Sequence, residues 1–168
     1  MRNKKVLFIT QAAVIAALYV VLTQFANMLG LANGAIQVRF SEALTILPFF
    51  TPAAIPGLAI GCFLSNVLTG CALYDIIFGT IATLIGAVGT YLLRRFKWLA
   101  PVPPIVANTI IVPWVLRIVY EAPGTIWYLM ITVGAGEVIS CGILGMILLF
   151  ALSRYRSVIF PDTQNVAN

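Results

Sequence analysis

The chain has 168 residues, of which 61% are hydrophobic and only 9% are charged, and its mean hydropathy is +1.04. No water-soluble core needs this much apolar surface, so the composition excludes an ordinary soluble domain and predicts an all-α integral membrane protein. The formal net charge of +5 fits attraction to anionic lipid headgroups better than a nucleic-acid-binding patch.

Six hydrophobic segments follow one another along the chain. A helix that crosses a bilayer takes about 20 apolar residues, which predicts transmembrane spans over residues 6–26, 40–54, 56–71, 75–93, 102–119 and 126–152. The second and third spans are short, and Pro52 and Pro56 separate them. No linker or soluble domain interrupts the series, so we predict a single six-helix domain over residues 1–168.

The basic residues are sorted around these spans. Eight of the ten Lys and Arg residues lie on one side of the membrane if the six helices alternate: Arg2, Lys4, Lys5, Arg94, Arg95, Lys97, Arg154 and Arg156. The positive-inside bias then predicts that the N and C termini are both cytoplasmic. The first span is too long for a removed signal peptide and lacks a small-residue cleavage site, so we interpret it as a retained helix.

Small residues recur one helical turn apart in the first span. Ala12 is paired in this way with Ala16, and Ala13 with Ala17. Small side chains at this spacing allow the backbone of another helix to come close. Packing within the protein itself is a sufficient explanation of the pattern.

The second span begins with two opposite charges. It follows a predicted outer loop over residues 27–38, which contains Gln37; Arg39 directly precedes the span and Glu42 lies within it. Since the two charges are three positions apart, on a helix they share a face and partly neutralise each other. The pattern is equally compatible with a structural ion pair that pins the loop and with contact to a ligand.

The third and fourth spans meet at a turn flanked by Asn66 and Asp75. Asp75 lies at the start of a helix, where capping and the helix dipole alone explain a carboxylate. The fourth span then presents one face of small residues, which favours close helix packing. These residues are Gly79, Thr83, Gly86 and Thr90.

Glu137 is the strongest candidate for a functional residue. It lies about eleven residues inside the sixth span, a depth at which a carboxylate has to be protonated, paired with a cation or bound to a ligand. Asn108 is a further polar residue, within the fifth span.

The polar residues of the spans are concentrated in their outer half, whereas the cytoplasmic half is almost purely apolar. The polar set is Gln37, Arg39, Glu42, Asn66, Asp75 and Glu137. This asymmetry predicts a pocket that opens to the outside. Trp114 and Trp127 lie at similar heights, and they form either an interfacial aromatic belt or walls that stack on a flat ligand.

The sequence also argues against several classes of chemistry. It contains no His, no Gly-rich phosphate loop, and three cysteines without metal-ligand spacing. We therefore predict no metal and no cofactor in this chain, and an ATP-driven step would need ATPase subunits supplied by other chains. A small integral-membrane enzyme that uses Glu137 and Asp75 as acid and base is a possible alternative, but the chain has no paired nucleophile and base.

In size, six-helix topology and alanine pairs, the chain resembles the substrate-binding S components of energy-coupling factor (ECF) vitamin transporters. Within that family it is most similar to the QueT group, proposed importers of queuosine precursors. The stretches that carry this resemblance are Ile36–Leu44, Gly61–Asn66, Asp75–Thr80 and Gly136-Glu137.

The resemblance implies a multi-pass protein of the cell membrane that is not an enzyme. It would capture a 7-deazaguanine, such as preQ1, preQ0 or queuine, from outside for ATP-driven uptake. Its partners would be the coupling transmembrane subunit (EcfT) and two ATPase subunits (EcfA and EcfA′) that use ATP. EcfT would contact Ala12, Ala13, Ala16 and Ala17. The alternative is an S component for another small vitamin or nucleobase-like nutrient.

The resemblance also assigns roles to the polar residues. Glu137 would accept the donors of the guanine-like edge, Glu42 or Asp75 would meet the aminomethyl cation of preQ1, and Arg39 would orient Glu42. The loop over residues 27–38 would cover the pocket. The carbonyl and ring nitrogens would be met by Asn66, Asn108 and Gln37, and the bicycle would stack on Trp114 or Trp127.

Overall fold

The computed structural model describes residues 4–31 and 36–160. Within these ranges the chain is helical, and it contains no β-strand. Arg2, residues 32–35 of the predicted outer loop and the tail after residue 160 lie outside the described residues.

The helices follow the six hydrophobic segments closely. In chain order they are α1 (Lys4–Met28), a 3₁₀ helix (Phe40–Phe49), α2 (Ala54–Leu68), α3 (Leu73–Leu92), a short 3₁₀ turn (Lys97–Leu99), α4 (Val102–Ile118), α5 (Ile126–Glu137), a π-helical segment (Val138–Leu144), α6 (Gly145–Arg154) and α7 (Arg156–Ile159). The stretch from α5 to α6 continues without a break over Ile126–Arg154. The prediction of an all-helical chain with six hydrophobic segments is confirmed.

Four of the described segments are long and apolar enough to cross a membrane: Lys4–Met28, Leu73–Leu92, Lys97–Ile118 and Ile126–Arg154. The second and third segments, Phe40–Phe49 and Ala54–Leu68, are apolar but shorter. A 3₁₀ helix rises about 2 Å per residue, so Phe40–Phe49 extends for about 20 Å, less than the roughly 30 Å of a bilayer core. The predicted second span was therefore too long, because the helix ends before the turn at Pro52.

The 3₁₀ helix is the centre of the fold. Every residue from Ser41 to Phe50 is buried, and the helix packs against α1, α3, the π-helical segment and α6. A helix that is apolar on all sides is stable only when it is enclosed. Enclosure of this helix carries Glu42 into the interior of the bundle.

The first helix packs against α2 through small residues. A Cβ atom added to Gly57 would lie 2.7 Å from the carbonyl oxygen of Ala12, and one added to Gly61 would lie 3.1 Å from the Cα of Ala16. The glycines therefore let the two backbones touch. The predicted pair Ala12 and Ala16 therefore packs against α2, whereas the pair Ala13 and Ala17 is exposed.

The same kind of contact joins α3 to α4. A Cβ atom at Gly86 would lie 2.7 Å from the Cα of Pro104, and the hydroxyl of Thr90 donates a hydrogen bond of 2.8 Å to the carbonyl of Ala100. The part of the predicted small-residue face formed by Gly86 and Thr90 is therefore a packing surface.

Candidate ligand-binding site

Most of the polar residues selected from the sequence meet in one enclosed chamber. Six of the nine predicted ligand-binding residues line it, together with residues of α2, α3, α4 and α5. The full lining is Gln37, Arg39, Glu42, Cys62, Asp75, Gly79, Thr83, Asn108, Val112, Val133 and Glu137. The predicted clustering of polar groups within the apolar bundle is thus present in the structure.

Glu42 is held by hydrogen bonds from two other helices. Its side chain is only 2% exposed. The hydroxyl of Tyr19 in α1 donates to Oε1, and the side-chain amide of Asn108 in α4 donates to Oε2 over 3.5 Å. These bonds fix the orientation of a carboxylate that burial would otherwise destabilise.

Among the described residues, no hydrogen bond joins the side chains of Arg39 and Glu42. The predicted direct pairing of these two residues is therefore not observed. Arg39 is the residue before the 3₁₀ helix, and its backbone is extended, with φ −114° and ψ 112°. The rule that residues three apart share a face applies only inside a helix. The guanidinium instead lies 3.5 Å from Oε1 of Gln37.

Glu137 lies close to Glu42 across the chamber. The thiol of Cys141 donates a hydrogen bond of 3.1 Å to Oε2 of Glu137. One carboxylate oxygen of each glutamate and the sulfur of Cys141 lie within 4.8 Å of one another. Two carboxylates this close repel unless a proton, a cation or a hydrogen-bond donor lies between them. Such a set could also ligate a metal ion, and the predicted absence of a metal stays a prediction.

The π-helical segment after Glu137 shapes this side of the chamber. A π-helical turn is rare and is found frequently at functional sites. Here it brings Cys141 back onto the carboxylate four residues earlier. Its Ser140 hydroxyl accepts a hydrogen bond of 3.1 Å from the backbone N–H of Arg39, which anchors the start of the 3₁₀ helix.

Gly136 permits the close approach of this segment to the chain before the 3₁₀ helix. A Cβ atom at Gly136 would lie 2.2 Å from the carbonyl oxygen of Gln37, a distance that no side chain can adopt. A glycine is therefore required for residues 37–39 to pass across α5, and this crossing presents the side chains of Gln37 and Arg39 to the chamber.

Asp75 links the chamber to the segment that follows α4. The hydroxyl of Tyr120, after the end of α4, donates a hydrogen bond of 3.0 Å to its Oδ2 and accepts one of 3.0 Å from the backbone N–H of Ala72. Asp75 lies in the first turn of α3, where the helix dipole favours a carboxylate as predicted, but the N-cap residue is Ala72 and Asp75 makes no capping hydrogen bond. Partial burial, reinforced by the neighbouring Asp75, raises the pKa of Tyr120 to about 12, so its hydroxyl stays a donor at physiological pH.

A wider cavity of about 590 Å³ lies at the end of the bundle where α1 and α4 finish and α3 begins. We call it the vestibule. Three residues line both the vestibule and the chamber: Gln37, Arg39 and Asp75. The vestibule also contains Asn66, whose amide lies 3.6 Å from the sulfur of Cys62. These shared residues form the boundary between the two cavities.

The two tryptophans predicted to stack on a ligand lie elsewhere. Trp114 is 50% exposed and lines an apolar groove on the outer surface of α3 and α4, and Trp127 is 72% exposed. Neither side chain lines the chamber or the vestibule. Their placement fits the aromatic belt better than stacking on a ligand.

Tyr19 and Tyr120 are contributors that the sequence analysis missed. The side chain of Tyr19 is 2% exposed, and a buried tyrosine hydroxyl almost always has a hydrogen-bond partner. A tyrosine in the middle of an otherwise apolar first span was therefore a detectable signal. The contact of Tyr120 with Asp75 could not be predicted, because an aromatic residue at the end of a span is expected at a membrane interface in any case.

Helices of membrane length around a buried polar chamber, with a wider cavity at one end, are the features of a membrane protein that binds a small solute. Residues 9–154 match the model of the QueT transporter family, and the chain belongs to this family. The resemblance to the QueT group drawn from the sequence is thereby confirmed.

One curated relative illustrates the match. A protein of Lactococcus lactis subsp. cremoris (strain MG1363) named queuosine precursor transporter QueT is 38% identical over 98 residues, which are 58% of this chain and 57% of that protein. The matched region therefore spans less than two thirds of the relative. No solved structure matches the chain.

Substitution of Tyr19 by Phe removes the hydroxyl that holds Glu42 and leaves a buried carboxylate short of a donor. We expect the free energy of unfolding to fall by about 1–3 kcal/mol, measured by denaturation of the detergent-purified protein. Tyr155→Phe is the matched control, because Tyr155 is 57% exposed. Equal stability of the two variants would show that the bond between Tyr19 and Glu42 does not stabilise the fold.

Proposed function

We propose that this chain is the substrate-binding S component of an ECF-type importer of the cell membrane, and that it captures a queuosine precursor of the 7-deazaguanine type. The proposal is supported most directly by one observation. Glu42, Asp75 and Glu137 line a single chamber next to a vestibule, in a chain that belongs to the QueT transporter family.

The chamber matches the hydrogen-bonding pattern of a guanine-like ring. Such a ring offers a ring N–H and an amino group along one edge, and a carboxylate can accept both bonds at once. Glu137 is our first choice for this role, since Glu42 already accepts bonds from Tyr19 and Asn108. The amide groups of Asn108 and Gln37 remain suited to the carbonyl and ring nitrogens.

The charge of the chamber favours a ligand that carries a positive group. Its lining contains three carboxylates, from Glu42, Asp75 and Glu137, but one cation, from Arg39. An excess of buried negative charge is costly until a cation or a proton compensates it. The aminomethyl group of preQ1 supplies that cation, and Asp75 at the boundary with the vestibule is positioned to meet it.

Uptake would depend on partner chains. We assign the coupling contact to Ala13 and Ala17, because these two alanines are exposed on α1 whereas Ala12 and Ala16 pack against α2. Small exposed side chains allow a helix of the coupling subunit (EcfT) to approach the backbone of α1. The ATPase subunits (EcfA and EcfA′) would supply the energy, with both termini of this chain in the cytoplasm.

Glu137→Gln tests the assigned carboxylate. The amide keeps the size of the side chain but presents one acceptor oxygen in place of two, so we expect the dissociation constant for preQ1 to rise at least tenfold, about 1.4 kcal/mol. Isothermal titration calorimetry on the purified chain measures it. Glu121→Gln, in the exposed outer loop, is the matched control. Unchanged affinity of the Glu137 variant would remove this residue from the ligand site.

Ala13→Leu tests the coupling face. The larger side chain should hold the coupling helix away, so we expect loss of uptake in cells with unchanged binding of preQ1 by the purified chain. Ala151→Leu makes the same change at an exposed position of α6 and should leave uptake intact. Normal uptake by the Ala13 variant would contradict the assignment of this face.

A further inference from the structure

We propose that Gly79 is a specificity-determining residue: because it has no side chain, a space stays open between Asp75 and Asn66 that receives the cationic arm of the ligand. The inference rests on the proposed function and deepens it, since it assigns the position at which a charged substituent on the ring is recognised.

Gly79 differs from the glycines that join the helices. A Cβ atom at Gly57 or Gly86 would meet the backbone of a neighbouring helix, so these glycines serve packing. A Cβ atom at Gly79 would lie 3.1 Å from Nδ2 of Asn66 and 3.7 Å from Oδ1 of Asp75. In the described part of the chain these are its neighbours within 4 Å, apart from the adjoining backbone of α3. Helix packing therefore does not explain this glycine.

The space beside Gly79 lies where the two cavities meet. Gly79 lines the chamber, Asn66 lines the vestibule, and Asp75 lines both. A ligand that moves from the vestibule toward the chamber passes this point. The space is therefore part of the ligand path and not part of the closed apolar core.

Asp75 is oriented toward this space. Its side chain is 9% exposed, and its Oδ2 accepts the hydrogen bond from Tyr120, whose hydroxyl is fixed in turn by the backbone N–H of Ala72. Among the described residues, none donates a hydrogen bond to Oδ1, the oxygen that faces Gly79. A buried carboxylate oxygen without a donor is costly, and a donor placed beside Gly79 would satisfy it.

Asn66 forms the opposite wall of the space. It is 5% exposed, and the hydrogen bond recorded for its side-chain amide goes to the sulfur of Cys62, a weak acceptor. A carboxylate and an amide on either side of a gap suit an ammonium group, which carries three donors and a positive charge. Such a group must approach Oδ1 to about 2.7–2.9 Å for a charge-assisted hydrogen bond. A methyl group on Gly79 would occupy the place from which it does so.

Gly79→Ala tests the subsite. Alanine favours a helix more than glycine does, and the neighbours of the new methyl group are the ends of side chains, so we expect the variant to fold. The dissociation constant for preQ1 should rise at least tenfold, whereas that for unsubstituted 7-deazaguanine, which lacks the arm, should not change. Isothermal titration calorimetry on the purified full chain measures both.

Gly142→Ala is the matched control. Its added Cβ atom would lie at ordinary contact distances of 3.7 Å and 3.8 Å from the side chains of Val138 and Ile105. Both dissociation constants should stay at their wild-type values in this variant.

Asp75→Asn is the second variant, since it keeps the shape of the side chain and removes its charge. It should weaken binding of preQ1 at least tenfold and leave binding of the unsubstituted ring unchanged. Because both substitutions remove one and the same contact, Gly79→Ala should add less than twofold to the loss that Asp75→Asn causes.

Three results would overturn the inference: unchanged binding of preQ1 by the Gly79 variant, an equal loss for the unsubstituted ring, or losses that multiply in the double variant. If wild type binds preQ1 but not the unsubstituted ring, the double variant decides with preQ1 alone. Wild type that binds neither compound would instead overturn the proposed function, and this inference with it.

Discussion

Burial of Glu42 and Glu137 in an apolar helical bundle is the constraint on which the rest of this structure depends. A carboxylate at this depth costs several kcal/mol unless hydrogen bonds or opposite charge compensate it. The compensation comes from separate helices: Tyr19 from α1, Asn108 from α4 and Cys141 from the π-helical segment. These hydrogen bonds to the two buried carboxylates therefore fix the positions of the helices relative to one another, which contact with lipid alone would not do.

The shape of the chamber and the vestibule is set by close packing of helix backbones around Glu42 and Glu137. Glycines in α2 let α1 approach, which places Tyr19 beside Glu42, and Gly136 lets the chain before the 3₁₀ helix cross α5. Because these contacts are fixed by backbone, the chamber has little freedom to expand as a whole. The side chain of Arg39 lies on the boundary between the chamber and the vestibule.

Hydropathy and the cost of buried charge were enough to predict six hydrophobic segments and to select Glu42, Asp75 and Glu137 as residues that meet. The spacing of Arg39 and Glu42 did not predict the contacts of Arg39 correctly, because the helix begins one residue after it. The neighbours of the Arg39 side chain are set instead by the path of residues 37–39 across α5. The role of Tyr19 could not be predicted either, since it depends on where a helix 23 residues away places a carboxylate. The choice of Ala13 and Ala17 for the proposed coupling contact needed the structure, which buries Ala16 and exposes Ala17.

The most direct test of the account is thermal stabilisation of the purified wild-type chain by a panel of ligands: preQ1, preQ0, queuine, guanine and several vitamins. A ligand present at many times its dissociation constant raises the melting temperature by mass action. We predict a rise with the deazaguanines, largest with preQ1, and none with the vitamins. A folded sample that is stabilised by a vitamin and by no deazaguanine would contradict the proposed ligand class.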